Sequence, residues 1–220
     1  MIQLPRLYCI VDSAFLPTTE EVLGYVEALA AGGCTLLQYR NKSGNARVML
    51  EQARALKQHL GSYPNVAKNA TLGWGTQDSV RLIMNDRPDL CLAAEFDGVH
   101  VGQDDLSPDS VRAIIGPDRW LGVSTHNPDQ LREADCMPAD YLAIGPVFAT
   151  SSKEKPDPVV GLDGVRRVRA LTRKPLVAIG GITRANAASV IEAGADSVAV
   201  ISDLLREPRK SAEEFFRILR

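Results

Sequence analysis

Residues 120–144 read WLGVSTHNPDQLREADCMPADYLAI, and this stretch holds the repeating unit from which the fold follows. Trp120–Val123 is a short apolar run that ends in the polar residues Ser124-Thr125-His126. Asn127-Pro128 has the form of a helix start, with a side-chain cap followed by proline at the first helical position, where no amide hydrogen is needed. An amphipathic stretch follows, and Tyr141–Ile144 is a second apolar run. Continuous apolar runs of this length, without polar alternation, are what parallel strands covered on both faces require.

The same unit recurs on either side. Leu7–Val11, Thr35–Gln38, Leu82–Met84, Gly98–Val101, Leu176–Ile179 and Ser197–Ile201 complete a set of eight strand candidates, with stretches of helical period between them. Thr18 with Glu21 three residues later has the form of a capping box, Ser107-Pro108 repeats the proline start, and Thr183 is read as the cap of the helix after the seventh strand. Gly32-Gly33, Gly116 and Gly194 each close a helical run before a strand, where a left-handed residue is wanted. The turns Ala-Gly-Gly-Cys, Glu-Phe-Asp-Gly and Ala-Gly-Ala-Asp look alike because each leaves a helix and enters a buried strand. The class is α/β. Eight units in 220 residues without a break in composition predict a single (β/α)8 TIM barrel spanning 1–220, with an open doubly wound sheet as the alternative. Two connections are long. Gly61 to Asp78 reads as a surface excursion on the N-terminal side of the strands, and Pro146 to Gly161 falls on the C-terminal side.

The chain carries 25 basic and 27 acidic residues, a formal charge of −2, with 45% hydrophobic and 24% charged residues. Such a balance gives no global attraction to nucleic acid or to an anionic membrane surface. No apolar run is long enough to span a bilayer, and the N-terminus reads straight into a strand without a signal-peptide pattern. A cytoplasmic location is expected. The cysteines Cys9, Cys34, Cys91 and Cys136 are scattered, without metal-ligand spacing, and are expected to be small reduced thiols.

In a barrel the chemistry sits where the strands end, and here those ends are polar. The second strand ends Gln38-Tyr39-Arg40-Asn41-Lys42. In extended chain Gln38, Arg40 and Lys42 share a face, which suits a ligand with a polar ring and phosphates; solvated charges at a loop start are the plainer reading. Asn85-Asp86 ends the third strand, and His100 to Asp105 follows from the fourth. Carboxylates from two adjacent strand ends, Asp86 and Asp105, can hold Mg²⁺ together with substrate phosphate and water, unless they only cap helices. His100, inside an apolar strand, is read as a packed core histidine. Ser124 can donate to a phosphate, or close a turn. Thr150, Ser151, Ser152 and Lys153 follow the sixth strand as a phosphate clamp. Gly180-Gly181 after the seventh strand, beside Ser202 after the eighth, matches the recurrent phosphate site of such barrels. These patterns reach a phosphate-binding barrel enzyme with a metal, and no named substrate.

The segments QYRNK, ND with GVHVGQDD, GVSTH, GPVFATSSK and AIGGI with VAVIS, in this order from Leu7 to Leu205, resemble the thiamin phosphate synthase family. The resemblance implies a transferase of thiamine biosynthesis. It would join a hydroxymethylpyrimidine diphosphate to a thiazole phosphate, or its carboxylated tautomer, and release pyrophosphate by Mg²⁺-assisted dissociation. It assigns Gln38, Arg40, Lys42 and Asn85 to the pyrimidine diphosphate, Asp86 and Asp105 to Mg²⁺, and Ser124 and Lys153 to the same diphosphate. Thr150, Ser152, Gly181, Ile201 and Ser202 would form the thiazole phosphate pocket, with Ser152 where the family often has threonine. A sister thiazole tautomerase, another phosphate-handling barrel such as an epimerase or aldolase, and a non-catalytic ligand-binding regulator are the rival readings. Small-molecule substrates are the expected partners, with no nucleic acid and no membrane; the oligomeric state, a homo-oligomer included, is left open.

Overall fold

Along β1 (Leu7–Asp12) every residue is buried, yet successive side chains meet different surroundings. Leu7, Cys9 and Val11 pack in the layer beneath the helices, while Tyr8 and Ile10 pack with Leu36, Ile83, Tyr141, Val177 and Ala199. A sheet with helices on one face and its own side chains on the other must close on itself. It does so through parallel pairs in chain order, β1, β2 (Leu36–Arg40), β3 (Arg81–Asn85), β4 (Gly98–Val101), β5 (Trp120–Thr125), β6 (Tyr141–Ile144), β7 (Leu176–Ile179) and β8 (Ser197–Val200). The seam is β8 against β1, with Leu7 opposite Val198. This closure rules out the open sheet. The computed structural model describes residues 2–62, 80–150 and 157–220. Most of the 61–78 connection, and the clamp residues Ser151, Ser152 and Lys153, lie outside the described residues.

The helices α1 (Thr19–Ala31), α2 (Ala46–Gly61), α3 (Pro88–Ala93), α4 (Pro108–Ile115), α5 (Pro128–Asp135), α6 (Gly161–Arg169), α7 (Ala187–Glu192) and α8 (Pro208–Ile218) surround the barrel. Thr18 and Glu21 form the expected reciprocal capping box. Ser107 and Asn127 accept first-turn amides ahead of Pro108 and Pro128. Thr183 is not a cap. Asn186 holds the position before α7, and its side chain accepts from the Thr183 N–H at 2.8 Å and donates to the Gly181 carbonyl at 3.0 Å. The amide side chain offers both a donor and an acceptor to this loop, which a hydroxyl at 183 could not do from the same place.

The turns before β4, β6 and β8 share one device. Asp97, Asp140 and Asp196 directly precede β4, β6 and β8. Each accepts a backbone N–H from the start of the preceding strand: Leu82 at 2.7 Å, Leu121 at 2.7 Å and Leu176 at 2.8 Å. Each also meets a cation from a helix, Lys57 at 3.4 Å, Arg112 at 2.6 Å and Arg169 at 2.8 Å. These aspartates fix strand register at the N-terminal rim, away from the strand ends that carry chemistry. Cys9, Cys34 and Cys91 are buried and Cys136 is exposed; burial pushes the Cys91 thiol up to about 12.

Gly122 shows how tightly the lumen is filled. It lies between His100 on β4 and Tyr141 on β6 in the paired register. A Cβ there would sit 2.2 Å from Tyr141 Cζ and 2.4 Å from His100 Nδ1. Gly122→Ala is therefore expected to cost about 2 kcal/mol by overpacking, seen as a lower midpoint in thermal unfolding; an unchanged midpoint would mean that the two rings move apart freely.

Candidate active site

At the C-terminal rim, β2 leads into a turn held from below. Asn41 is buried and donates to the Tyr39 hydroxyl at 3.0 Å and to Gln52 at 3.1 Å, and its carbonyl accepts the Ser43 N–H at 2.9 Å. This lock leaves Lys42 facing outward. Burial raises the Tyr39 phenol to about 12, so it stays neutral in this contact. Arg40 pairs with Asp12, whose side chain is 3% exposed and also accepts the Ala14 N–H at 3.0 Å. The guanidinium is thus aimed by a buried carboxylate from the neighbouring strand. Asp12 was not among the residues singled out in the sequence, although an acid directly after an apolar run at a strand end is a readable signal.

Lys42 reaches Asp86 across the rim. Asp86 has a φ of 61°, in the left-handed region that costs a non-glycine residue roughly 1 kcal/mol, and its N–H donates to the His100 carbonyl at 2.9 Å. Backbone strain at such a position is held by its surroundings and aims the carboxylate. Asp105 accepts the Gly102 N–H at 2.8 Å. Its acidity is weakened, first by burial and then by the hydrogen-bonding contact and charge of Asp86, with Lys42 acting the other way. Neither acid caps a helix: Arg87 and Ser107 occupy those positions. The two carboxylates converge, and Asn85 beside them has a buried Nδ2 with no partner among the described residues. A cleft of about 510 Å³ is lined by Asn41, Lys42, Asn85, Asp86 and Asp105.

Gln38 lies deeper than the sequence reading placed it. Gln38 is 3% exposed and donates to the Tyr8 hydroxyl at 2.9 Å. His100 is buried in the barrel core, its ring centroid 5.5 Å from that of Tyr141. It faces the lumen, with Nδ1 at 3.1 Å from the Tyr141 hydroxyl and Nε2 at 2.8 Å from Ser124 Oγ. Burial lowers it to about 4, against a smaller opposing effect of Asp105, so it is neutral near pH 7. The reading of His100 as a core histidine agrees with its burial, but an apolar neighbourhood in sequence does not show that its ring carries hydrogen bonds inside the lumen.

Across the mouth, Gly181 has a φ of +64°, and a Cβ on it would meet the Ala149 carbonyl at 2.5 Å. Val147 and Phe148 donate to the Ile179 and Gly180 carbonyls at 2.8 and 2.9 Å, so the segment before Thr150 lies directly over the glycines. Ile201 is half-buried against the lumen cluster, and Ser202 is exposed at the start of a 3-10 turn, Ser202–Leu204. Arg184 bridges these loops through Asp203 at 3.0 Å and through Glu214. The structure thus groups Arg40, Lys42, Asn85, Asp86 and Asp105 on one side. Ser124 lies at the head of the lumen, and Gly181, Ile201 and Ser202 end the seventh and eighth strands. Asp12, Tyr8, Tyr141, Asn186 and Arg184 are the residues around the rim and lumen that sequence reasoning passed over.

The family model for thiamine monophosphate synthase matches residues 7–204. The chain belongs to the thiamine monophosphate synthase family. Within that family, the thiamine-phosphate synthase of Koribacter versatilis is 56% identical over 221 residues, covering 99% of this chain and 97% of that one. The thiamine-phosphate synthase of Chloroflexus aurantiacus is 42% identical over 90% of this chain and 83% of its own. Among solved structures, a thiamine phosphate pyrophosphorylase from Pyrococcus furiosus superposes with a TM-score of 0.80 at 32% identity, over 97% of this chain and 95% of that one. The thiamine monophosphate synthase family places this barrel among the transferases of thiamine biosynthesis. No helix among the described residues is long and apolar enough to cross a membrane.

Proposed function

We propose that the chain joins a hydroxymethylpyrimidine diphosphate to a thiazole phosphate, releasing pyrophosphate and forming thiamine phosphate. The observation that carries this reading is the rim quadrant in which two cations, Arg40 and Lys42, adjoin the converging acids Asp86 and Asp105 and the unpartnered amide of Asn85. Cations beside paired acids suit a diphosphate that arrives with a divalent metal. Among the described residues no group of three or more His, Cys, Asp or Glu side chains that could hold a metal occurs, so Asp86 and Asp105 would hold a cation together with substrate and solvent oxygens. Hard carboxylate oxygens fit Mg²⁺, which when bound offsets negative charge on the leaving group.

The residues of the chain divide the remaining work. Arg40, fixed by Asp12, and Lys42 face the diphosphate as the carbon–oxygen bond breaks and charge builds on the departing oxygens. Ser124 donates a hydrogen bond to the same group. Asn85 and the amide of Gln38 recognise the electron-rich aminopyrimidine, which carries the methylene cation. Gly181, Ile201 and Ser202 anchor the thiazole phosphate, so that the ring nitrogen is held for attack before water arrives. The family resemblance adds Thr150 and Ser152 to that anchor and Lys153 to the diphosphate. Neutral His100 has both ring nitrogens engaged and is not a free base.

The test is pyrophosphate release on mixing both substrates, with Mg²⁺ present and then chelated. Release that needs all three components supports the proposal. Isomerisation of the thiazole precursor without pyrophosphate release would replace it with the tautomerase reading. Gly181→Val carries a separate expectation. The new Cβ displaces the 146–150 segment rather than meeting the phosphate directly, and the KM for thiazole phosphate rises about tenfold or more, as a one-ångström misplacement warrants. An unchanged KM for that substrate would remove Gly181 from its pocket.

A further inference from the structure

The lumen contains an unbroken line of hydrogen-bonding side chains from the second strand to the fifth. Gln38 Nε2 lies 2.9 Å from the Tyr8 hydroxyl and that hydroxyl 3.0 Å from the Tyr141 hydroxyl. The Tyr141 hydroxyl is 3.1 Å from His100 Nδ1, and His100 Nε2 is 2.8 Å from Ser124 Oγ. Tyr8 is 1%, Gln38 3%, Tyr141 0% and His100 8% exposed, so water does not interrupt the line. Each interior member, two phenols and one neutral imidazole, has one proton to give. The line therefore has only two self-consistent directions.

If the amide N–H of Gln38 donates to Tyr8, then Tyr8 donates to Tyr141 and Tyr141 to His100 Nδ1. His100 must then carry its proton on Nε2 and donate to Ser124, whose own proton is left for the mouth. If Gln38 instead presented its carbonyl oxygen, every bond would reverse. His100 would be protonated on Nδ1, and Ser124 would spend its proton on Nε2, showing only lone pairs to the mouth. The amide nitrogen of Gln38 faces Tyr8, which selects the first direction. An anion at the mouth also accepts only, and is served only by that direction.

We propose that Gln38, Tyr8, Tyr141, His100 and Ser124 form one directional relay, in which Tyr8, Tyr141 and His100 are positioning residues. The relay fixes His100 as the Nε2–H tautomer and turns the Ser124 proton toward the leaving group. The role of the leaving group rests on the function proposed above; the direction of the relay does not. Recognition of the pyrimidine by Gln38 and hydrogen bonding to the diphosphate by Ser124 are thereby coupled through the interior of the barrel.

The experiment is nitrogen NMR on imidazole-¹⁵N-labelled protein, in which the three histidines of the chain are assigned by subtraction with His100→Gln. The expected result for the unliganded protein is His100 protonated on Nε2. Gln38→Glu places an acceptor at the head of the line and inverts the tautomer to Nδ1–H, three hydrogen bonds away. Should that variant not fold, Tyr141→Phe removes the donor to Nδ1 and leaves a mixture of tautomers. In turnover, Tyr141→Phe lowers kcat/KM for the pyrimidine diphosphate about tenfold, and adding Ser124→Ala to it costs little more. His100→Gln, whose amide still donates to Ser124, keeps more activity than His100→Leu. A wild-type Nδ1–H tautomer, or an unmoved tautomer in folded Gln38→Glu, overturns the relay. The expected tautomers in a protein that releases no pyrophosphate uphold the relay and sink the synthase reading instead.

Discussion

Asp105→Asn is expected to lower Mg²⁺-dependent pyrophosphate release by about a hundredfold to a thousandfold while making the metal-free protein harder to unfold at neutral pH. Both effects come from one fact, that Asp105 shares a half-buried site with Asp86. Burial first, and the contact with Asp86 second, raise its pKa above the ordinary carboxylate value. The native state therefore takes up a proton more readily than the unfolded chain. The stability this gives is present below the unfolded carboxylate value of about 4 and is lost as pH rises through the raised one. Above that range the closeness of the two acids opposes folding, an effect that Lys42 offsets in part. Asparagine removes the charge and can still accept the Gly102 N–H now bonded at 2.8 Å. Thermal unfolding against pH, with and without Mg²⁺ and pyrophosphate, reads the second effect, and the parent alone should gain from the additions. Full turnover in Asp105→Asn would take it out of the metal site. Asp86→Ala should lose turnover to the same degree, and Asp86→Asn is the better control because asparagine tolerates the left-handed backbone found at 86.

Arg40→Ala should be damaging twice over. Its partner Asp12 is only 3% exposed, and removing one member of a buried pair leaves an unpaired charge, at about 3 kcal/mol. In the proposed reaction the guanidinium also faces the developing charge on pyrophosphate, so the rate should fall about a hundredfold or more. The double variant Asp12→Asn with Arg40→Ala separates the two. Neutralising the stranded carboxylate should restore most of the stability and none of the activity. Recovery of activity in the double variant would show that Arg40 serves only to neutralise Asp12. Arg40→Lys keeps the charge but not the planar fork, and should fall between them.

The residues concerned show how far the sequence reaches. Arg40, Lys42, Asn85, Asp86, Asp105 and Ser124 could be picked out because each follows an apolar run, and in a parallel barrel every strand ends on the same rim. Asp12 obeys the same rule and is less legible because only Ser13 follows it before Ala14-Phe15, without the longer string of polar residues that marks the end of the second strand. Thr183 was taken for a cap because a hydroxyl after Gly-Gly-Ile matches a helix start, whereas the chain continues to Asn186 before turning.

The run lengths, proline starts and glycine stops by themselves determined eight alternating β–α units and the polar rim, because these signals are local: a few neighbouring residues fix backbone preference and face. Closure of the barrel, and with it the meeting of Tyr8 and Tyr141 from positions 133 residues apart, was decided only in three dimensions. The same holds for the space that Gly122 leaves for His100. In a strand buried on both faces, lumen and helix-facing residues read alike. Register between distant strands then decides which buried tyrosine is packing and which carries a hydrogen bond toward the site.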